Sequence, residues 1–246
     1  MGTLHLITGD IIENCIDMDA IVNAQNKYMQ LGSGVCGAIY NAAGIELLNY
    51  CQNNYKEYMI DGEVRITPGF NLKCNIMHTL APKAFEQQNP LNSLLDCYEN
   101  LLNSIKDNHY KKVILPSLGA GIHGYKHDQI SKPLMILLSK FCIDNNIDLY
   151  FINLNTLYTE IYLNEYISVK GINLKNDLLY LNIDEIKEYL ENTGLANFNS
   201  KVLYDNFVKG KQIEDMNITE KIIALQYTIE HFKITKEQLE PLILSF

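Results

Sequence analysis

Several residue types and patterns are scarce or missing in this sequence of 246 residues. It has no Trp, a single Arg at position 65, and six Cys with no C-x-x-C pair among them. Scattered cysteines without a Cys/His quartet argue against structural zinc and a disulfide scaffold, so we expect reduced thiols in a cytoplasmic protein. No apolar run approaches the roughly 18 residues that cross a bilayer. Residues 1–14 also lack a basic stretch before an apolar core, so we expect neither a membrane protein nor a secreted one.

Positive charge is also in short supply. The chain has 20 Lys plus Arg against 29 Asp plus Glu, a net charge of −9. A nonspecific nucleic-acid binder needs a basic face, so nucleic acid is disfavoured as a partner. A single Arg nearly excludes bidentate Arg clamps on a phosphate. Any phosphate bound by this chain must therefore be held mainly by backbone groups.

Up to residue 167 the sequence alternates short β-rich runs with longer segments of helical period. This alternation is typical of a layered α/β fold. The predicted strands are residues 4–8, 20–23, 63–66, 75–80, 112–115 and 148–154. The predicted helices are residues 34–49, 91–107, 129–145 and 158–166. We expect a central sheet with helices on both of its faces.

From residue 168 onward the β-rich runs disappear and signals of helix starts recur. Capping boxes predict three helix starts, at Asn182 with Glu185, Asn217 with Glu220, and Thr235 with Gln238. Residues 200–210 could bracket a further helix, and Gly194 fits the end of the first one. An apolar stripe at helical spacing should be buried against the body or neighbouring helices, and it consists of Ile222, Leu225, Ile229 and Phe232. The sequence therefore predicts a domain of residues 1–167 and an all-helical extension of residues 168–246.

The last two predicted helices also permit a helix-turn-helix interpretation. A recognition helix should present basic or amide groups to DNA, yet the second helix carries Glu237 and Glu240. Packing against the body, or contact with a partner, is the favoured interpretation of these helices.

A carboxylate, Asp10, follows the first predicted strand in the run Thr8-Gly9-Asp10-Ile11-Ile12. Asp at this position commonly caps a turn through hydrogen bonds to its own backbone. It is also suited to accept a hydrogen bond from an amino group, such as that of adenine. The motif by itself leaves both interpretations open.

A glycine-rich turn, Gly32-Ser33-Gly34, separates the second predicted strand from the first predicted helix. Unpaired backbone N–H groups at a helix N-terminus favour a phosphate. The alternative is a plain connecting loop whose glycines only satisfy positive φ angles. The pattern lacks the Lys of a P-loop.

A second glycine-rich loop, residues 117–125, follows the fifth predicted strand. Its glycines, at positions 119, 121 and 124, permit close approach of the backbone to a ligand, and Tyr125 offers a face for a sugar. Two such loops suggest one pyrophosphate gripped from both sides. His123 and His127 are four residues apart, but the intervening glycine argues against a metal site. We predict neither a metal nor a cofactor.

Together these stretches resemble the macrodomain family, whose members bind ADP-ribose. The matching residues run in family order over residues 3 to about 167. They include Gly9-Asp10-Ile11, Val22-Asn23-Ala24-Gln25-Asn26, Gly32-Ser33-Gly34-Val35, Met77-His78-Thr79 and Pro116-Ser117 through Tyr125. The resemblance implies a three-layer α/β/α sandwich with a mixed central sheet, followed by the helical extension. It also implies ADP-ribose, or an ADP-ribosylated protein, as the partner.

The resemblance further implies roles for individual residues. Asp10 would hold the adenine amino group, and the backbone of Ile11 would lie against the adenine ring. Asn26 would bind the distal ribose hydroxyls, and Tyr125 would stack near that sugar. The other residues implied to bind the ligand, mostly around the pyrophosphate, are Asn23, Gly32, Ser33, Gly34, Val35, Ser117, Gly119, Ala120, Gly121, Ile122 and Gly124.

One departure from the family pattern bears on catalysis. Hydrolytic MacroD-like members carry an Asp ten residues after the Asn that binds the distal ribose, and here that residue is Cys36. A neutral thiol cannot act as a carboxylate base, although a thiol at a helix N-terminus can ionise and become a nucleophile. Asn26 and Cys36 are therefore the candidate catalytic residues. The resemblance favours hydrolysis of ADP-ribosyl protein or O-acyl-ADP-ribose by a substrate-assisted water, and the alternative is a non-catalytic reader of ADP-ribose.

Overall fold

The computed structural model describes residues 1–246 and contains one six-stranded mixed sheet. Its strands are β1 (Leu4–Thr8), β2 (Ala20–Ala24), β3 (Val64–Thr67), β4 (Asn75–Thr79), β5 (Lys112–Pro116) and β6 (Asp148–Asn153). The strand order is β1-β6-β5-β2-β4-β3. All neighbouring pairs are parallel except β3 and β4, which are antiparallel. The predicted mixed central sheet is confirmed.

Helices cover both faces of the sheet, as a parallel sheet requires. The helices that follow the strands are α1 (Gly34–Ala43), α2 (Ile45–Asn54), α3 (Pro90–Asp107), α4 (His127–Asn145) and α5 (Thr156–Lys170). Alternate residues of β2 face opposite layers. Ile21 belongs to the apolar cluster with α1 and α2, whereas Ala20 and Val22 belong to the cluster with α3, α4 and α5. The three-layer architecture is therefore confirmed.

The predicted helix over residues 34–49 is wrong in two respects, because the structure divides it into α1 and α2 and because α2 continues to Asn54. The break lies at Gly44, which has a φ of +91°. A Cβ atom at this position would come within 2.6 Å of Nδ2 of Asn71. The chain turns here, where a side chain would be both strained and crowded.

The extension is all-helical, as predicted, and no helix of the structure is both long and apolar enough to span a membrane. Its helices are α6 (Leu174–Leu179), α7 (Ile183–Asn192), α8 (Ser200–Leu203), α9 (Ile218–His231) and α10 (Lys236–Leu244). All three predicted capping boxes are confirmed, at the starts of α7, α9 and α10. The predicted helix over residues 200–210 is only one α-helical turn, α8, followed by a π-helical turn, Tyr204–Val208.

The extension docks on the outer edge of β1, which is an edge strand of the sheet. The backbone N–H of Leu6 donates to the carbonyl oxygen of Gly194 at 2.9 Å, and the N–H of Thr8 donates to Oδ1 of Asn197 at 2.9 Å. The segment thereby satisfies backbone groups that an edge strand would leave open. Gly194 lies so close that an added Cβ would be 2.1 Å from the Leu4 carbonyl oxygen.

Most residues of the apolar stripe of α9 are buried in the main apolar core. Ile222, Leu225 and Ile229 are buried in the same cluster of 42 residues that contains Leu4 and Leu6. Phe232 was predicted to be buried as well, but it is 55% exposed. It lies just beyond the last residue of α9 in an extended conformation, so it leaves the helical stripe and packs edge-on against Tyr227.

Candidate functional site

Two cavities open at the edge of the sheet where its parallel strands end. The Asp10 cavity, about 340 Å³, lies beyond β1, and the Asn26 cavity, about 360 Å³, lies beyond β2 and β5. In the sheet β1 and β2 are separated by β6 and β5. Three strand spacings place the two ends roughly 14 Å apart. This separation suits an elongated molecule with different chemistry at each end.

The Asn26 cavity lies between the two glycine-rich loops. Its walls contain no Lys, Arg, Asp or Glu. Its lining residues are Ala24, Gln25, Asn26, Gly32, Ser33, Gly34, Val35, Cys36, Ala81, Pro116, Ser117, Gly119, Gly121, Ile122 and His123. Electrostatic attraction for an anion in this cavity must therefore come from backbone dipoles.

The N-terminus of α1 forms one wall of the Asn26 cavity. Ser33 is the N-cap, and its side chain makes no capping hydrogen bond. The N–H groups of Gly34, Val35 and Cys36 donate no hydrogen bond within the chain. Three free N–H groups at the positive end of a helix dipole form a site for an anion.

The loop of residues 117–125 forms the facing wall. Gly119 has a φ of +78°, and an added Cβ would lie 2.8 Å from the ring of Tyr125. The backbone can therefore take this path only with glycine at position 119. Ser117 is held in place because its hydroxyl shares a hydrogen bond with Tyr162, whose hydroxyl lies 2.8 Å from Nδ1 of His127. Ala120 and Gly124 belong to the loop but do not line the cavity.

Tyr125 does not present a face to the cavity, contrary to the prediction from the sequence. It is only 6% exposed and belongs to the main apolar cluster beneath Gly119. A large aromatic ring gains more free energy in the core than at the surface, which explains its position. Tyr125 therefore supports the loop from below, and a stacking role on a sugar is excluded in this conformation.

His123 lines the cavity at the position where an aromatic contact was expected, and sequence reasoning missed it. Its Nδ1 lies 3.3 Å from the carbonyl oxygen of Pro82. A carbonyl only accepts, so Nδ1 carries a hydrogen, and Nε2 is the ring nitrogen left for a ligand. The signal available in the sequence was the ring of His123 within the glycine-rich loop, but the sequence was interpreted there only for a metal ligand.

Asn26 lies on the wall of the cavity and also shapes the loop that follows it. Its Nδ2 donates to the carbonyl oxygen of Gln30 at 2.6 Å, and its Oδ1 accepts from the N–H of Tyr28 at 3.1 Å. Since the amide nitrogen has two hydrogens, one remains for a hydroxyl group of a ligand. Asn26 thus orders its own loop and still offers a donor to the cavity.

Asn23 was predicted to bind the ligand, but its side chain lies behind the cavity wall. It is fully buried, and its Nδ2 lies 3.0 Å from Nδ1 of His78. Gln25 Nε2 lies 3.2 Å from the same nitrogen, so His78 Nδ1 accepts from both amides. Desolvation lowers the pKa of His78 to about 3, which keeps the ring neutral and able to accept. Asn23 therefore anchors the end of β2 and does not reach the ligand space.

Cys36 is 5% exposed and reaches the cavity wall from the first turn of α1. Its Sγ is 3.3 Å from Oε1 of Gln25 and 3.6 Å from the carbonyl oxygen of Gln30. Both neighbours are acceptors for the single hydrogen of the thiol, and the sulfur in turn accepts from Nδ2 of Asn23 at 3.9 Å. Burial raises the pKa of the Cys36 thiol above its ordinary value. The environment thus favours the neutral thiol and disfavours a nucleophilic thiolate.

Asp10 combines the two roles that the sequence left open. Its Oδ1 accepts from the N–H of Ile12 at 2.7 Å, which is the turn-capping role. Its Oδ2 has no hydrogen-bond partner within the chain and belongs to a residue that lines the Asp10 cavity. Ile11 is buried in the core and does not line the cavity. The carboxylate can therefore cap its turn and accept a ligand amino group at the same time.

Comparisons with known proteins place this geometry in context. The Macro domain family model matches residues 22–132. A macro domain-containing protein from Lactiplantibacillus plantarum is 39% identical over 127 residues, which cover 51% of this chain and 72% of that protein. An O-acetyl-ADP-ribose deacetylase from Salmonella typhimurium is 33% identical, covering 56% of this chain and 78% of the relative. The chain is thus similar to macrodomains of the hydrolase type.

A solved structure supports the same assignment. The Oceanobacillus iheyensis macrodomain with ADP is 31% identical and has a TM-score of 0.61, covering 67% of this chain and 90% of that one. Its fold corresponds to the α/β body described above. Because the sequence identity, the coverage and the sandwich architecture agree, this chain belongs to the Macro domain family.

Proposed function

We propose that the chain binds ADP-ribose along the edge of the sheet that joins the Asp10 cavity to the Asn26 cavity. The observation that carries this proposal is the set of three free N–H groups at the start of α1, facing a glycine loop across a cavity without Lys or Arg side chains. A pyrophosphate would be held there by backbone dipoles. The Oceanobacillus macrodomain, which is similar over 67% of this chain, was solved with ADP.

The two ends of the edge suit the two ends of ADP-ribose. A free carboxylate oxygen of Asp10 would accept from the adenine amino group in the Asp10 cavity. Asn26 would donate to a hydroxyl of the distal ribose in the Asn26 cavity. The separation of roughly 14 Å leaves room for the pyrophosphate between them.

We further propose that the chain hydrolyses ADP-ribosyl adducts at the distal ribose. With a modified protein, a water oxygen would form the new bond to the anomeric carbon, and the bond to the side-chain oxygen of the target would break. With O-acetyl-ADP-ribose, the water oxygen would form a bond to the acetyl carbonyl carbon and the ester bond would break, which releases acetate and leaves the ribose oxygen to take up a proton as a hydroxyl. Relatives named O-acetyl-ADP-ribose deacetylase support this activity.

The proton lost by the attacking water needs an acceptor. No carboxylate lines the Asn26 cavity, and Cys36 is kept neutral by burial. The substrate's own phosphate, positioned at the start of α1, would therefore hold the water and take its proton. Asn26 would set the ribose orientation, and orientation alone contributes several kcal/mol in favourable cases.

One observation favours a second candidate, a reader that binds ADP-ribose without turnover. The Asn26 cavity lacks any acidic side chain that could activate water. A reader needs only groups that bind the ligand, and the N–H groups at the start of α1, Asn26 and Asp10 would supply them.

Incubation of the protein with O-acetyl-ADP-ribose, and with Asp/Glu-linked and Ser-linked mono-ADP-ribosylated proteins, separates the two candidates. We expect slow release of ADP-ribose or acetate, measured against a protein-free control. Calorimetry with free ADP-ribose should show binding in the micromolar range. Binding without any release would establish a reader, and absence of binding by folded protein would contradict both candidates.

A further inference from the structure

We propose that the C-terminal extension supplies one wall of the nucleobase site. The base of an adenine nucleotide would lie between Asp10 of the body and Phe198 and Val202 of the extension. This inference rests on the proposed binding of ADP-ribose and deepens it. Phe198 and Val202 lie outside the residues that match the Macro domain model, which end at 132.

The position of this wall is set by the pairing of the extension with β1. Oδ1 of Asn197 accepts from the N–H of Thr8 at 2.9 Å, two residues before Asp10. Phe198 is the next residue along the chain, and α8 starts at Ser200. The pairing therefore brings Phe198 and Val202 to the end of β1, and both line the Asp10 cavity.

Helix α9 fixes the position of residues 197–200 through side-chain hydrogen bonds. The side chain of Gln226 accepts from the Asn197 N–H and donates to the Asn197 carbonyl, each at 2.8 Å. Glu230 accepts from Gln226 at 2.8 Å and also from the hydroxyl of Ser200. Gln226 is 9% exposed, so its two hydrogen bonds to Asn197 are shielded from water, whereas Glu230 is exposed. The wall is thus a fixed part of the protein and not a loose tail.

The two walls of the Asp10 cavity differ in chemistry. On the body side, Asp10 and Glu13 contribute carboxylates, and Asn14 has an Oδ1 that is buried without a hydrogen-bond partner. No Lys, Arg or His lines the cavity. This acidic lining disfavours a phosphate and favours a neutral group that donates hydrogen bonds.

The extension side is mainly apolar. Phe198 is 39% exposed and Val202 is 51% exposed, so both keep surface available for contact. The Phe198 ring is itself held in a stack on Tyr150, with ring centres 5.6 Å apart. A purine has flat apolar faces and, in adenine, an amino group on its edge. An apolar wall opposite hydrogen-bond acceptors matches that distribution.

The test measures ADP-ribose affinity by calorimetry on the parent protein and four variants. Val202→Trp should fill the cavity and weaken binding at least tenfold. Phe198→Ala removes the ring from the wall and should weaken binding several-fold. Phe232→Ala and Tyr180→Ala each remove an exposed ring of the same extension that does not line the cavity, so both should stay within twofold of the parent. Thermal melting of each variant checks that it is folded.

The outcomes separate this inference from the proposed function. Parent protein that binds ADP-ribose, with unchanged affinity in both Val202→Trp and Phe198→Ala, would overturn the inference alone. Tighter binding by Phe198→Ala would also overturn it, because the extension would then obstruct the site. Absence of ADP-ribose binding by the parent would overturn the proposed function and this inference together.

Discussion

The Asp10 cavity and the Asn26 cavity lie on the same edge of one sheet, yet they are built from different parts of the chain. The Asn26 cavity is formed by the body alone, and its recognition groups are mainly backbone N–H groups and glycines. The Asp10 cavity is formed by the body and the extension together, and its recognition groups are side chains. A site whose recognition groups are backbone N–H groups tolerates many side-chain substitutions. A site whose recognition groups are side chains depends on each of those residues and on the docking of the extension against the body. The comparison therefore predicts unequal effects of substitution at the two ends.

The largest effect is expected where the extension meets β1. Gly194 has a φ of +74°, and an added Cβ would lie 2.1 Å from the carbonyl oxygen of Leu4. Gly194→Ala should lower the free energy of unfolding by about 3 kcal/mol or more, because backbone strain and a backbone clash combine. ADP-ribose affinity should fall too, since the Asp10 cavity loses its outer wall. Urea unfolding and calorimetry measure the two effects.

Gly171→Ala is the matched control for this change. Gly171 also has a positive φ, +67°, but nothing lies within 4 Å of an added Cβ. It should cost only about 1 kcal/mol, the strain of a left-handed conformation. Equal losses in the two variants would show that close contact between Gly194 and β1 is unimportant.

The next largest effect is expected in the Asn26 cavity, where the side chain of Asn26 contributes to turnover although most recognition groups are backbone N–H groups. Asn26→Ala should lower turnover of O-acetyl-ADP-ribose by about 100-fold, because a misplaced ribose loses the orientation of the reacting water. Release of acetate under single-turnover conditions measures the change. Asn54→Ala removes an exposed Asn, at the end of α2, that bonds only to its own helix, and it should leave turnover unchanged. Full turnover by a folded Asn26→Ala protein would remove Asn26 from the mechanism.

A smaller effect is expected at Asp10, where the test must distinguish the turn-capping role of the side chain from its role in binding the ligand. Asp10→Asn keeps an oxygen that can accept from the N–H of Ile12 but presents an amide instead of a carboxylate to the ligand. ADP-ribose affinity should fall by about 1.5 to 3 kcal/mol, the worth of a charge-assisted hydrogen bond. Calorimetry measures the affinity, and the melting temperature reports on the turn. A large loss of stability with unchanged affinity would make Asp10 a turn cap only.

The smallest effect is expected at Cys36. Cys36→Ala should leave turnover within a few-fold, because burial raises the pKa of the thiol and so reduces the thiolate fraction at any given pH below that of a free cysteine. Cys36→Asp should reduce stability, since its carboxylate would face Oε1 of Gln25 and the carbonyl oxygen of Gln30. Steady-state kinetics and thermal melting check the two variants. Loss of all activity in Cys36→Ala, with a trapped thiol adduct in the parent, would make Cys36 the nucleophile.

The strands were predictable to within a residue or two because buried parallel strands appear as short apolar runs between turn residues. The break at Gly44 was missed, since an isolated glycine within a helical pattern is often tolerated. The three capping boxes of the extension were predictable because a cap is a local arrangement of four residues.

The candidate site was predictable in its loops but not in the direction of its side chains. Tyr125 and Asn23 were both expected to face the ligand and are both buried, whereas His123 was passed over and lines the cavity. Tyr125 and His123 lie in a loop, where no periodicity indicates which side faces inward. Asn23 lies in β2, and the alternation of that strand puts it on the same face as Ile21, toward α1. The direction of a loop side chain is decided by the volume available beneath the loop.

The sequence by itself determined the order of strands and helices, the glycine loops, the helix caps and the absence of cationic phosphate clamps. These are local features, set by backbone preferences and by residue type. Only the tertiary structure decided that Asn197 pairs with Thr8, that α9 clamps this segment through Gln226, and that Phe198 thereby reaches the cavity of Asp10. Residues almost 190 positions apart are brought together by hydrogen bonds and shared core packing, and neither leaves a periodic signal in the sequence.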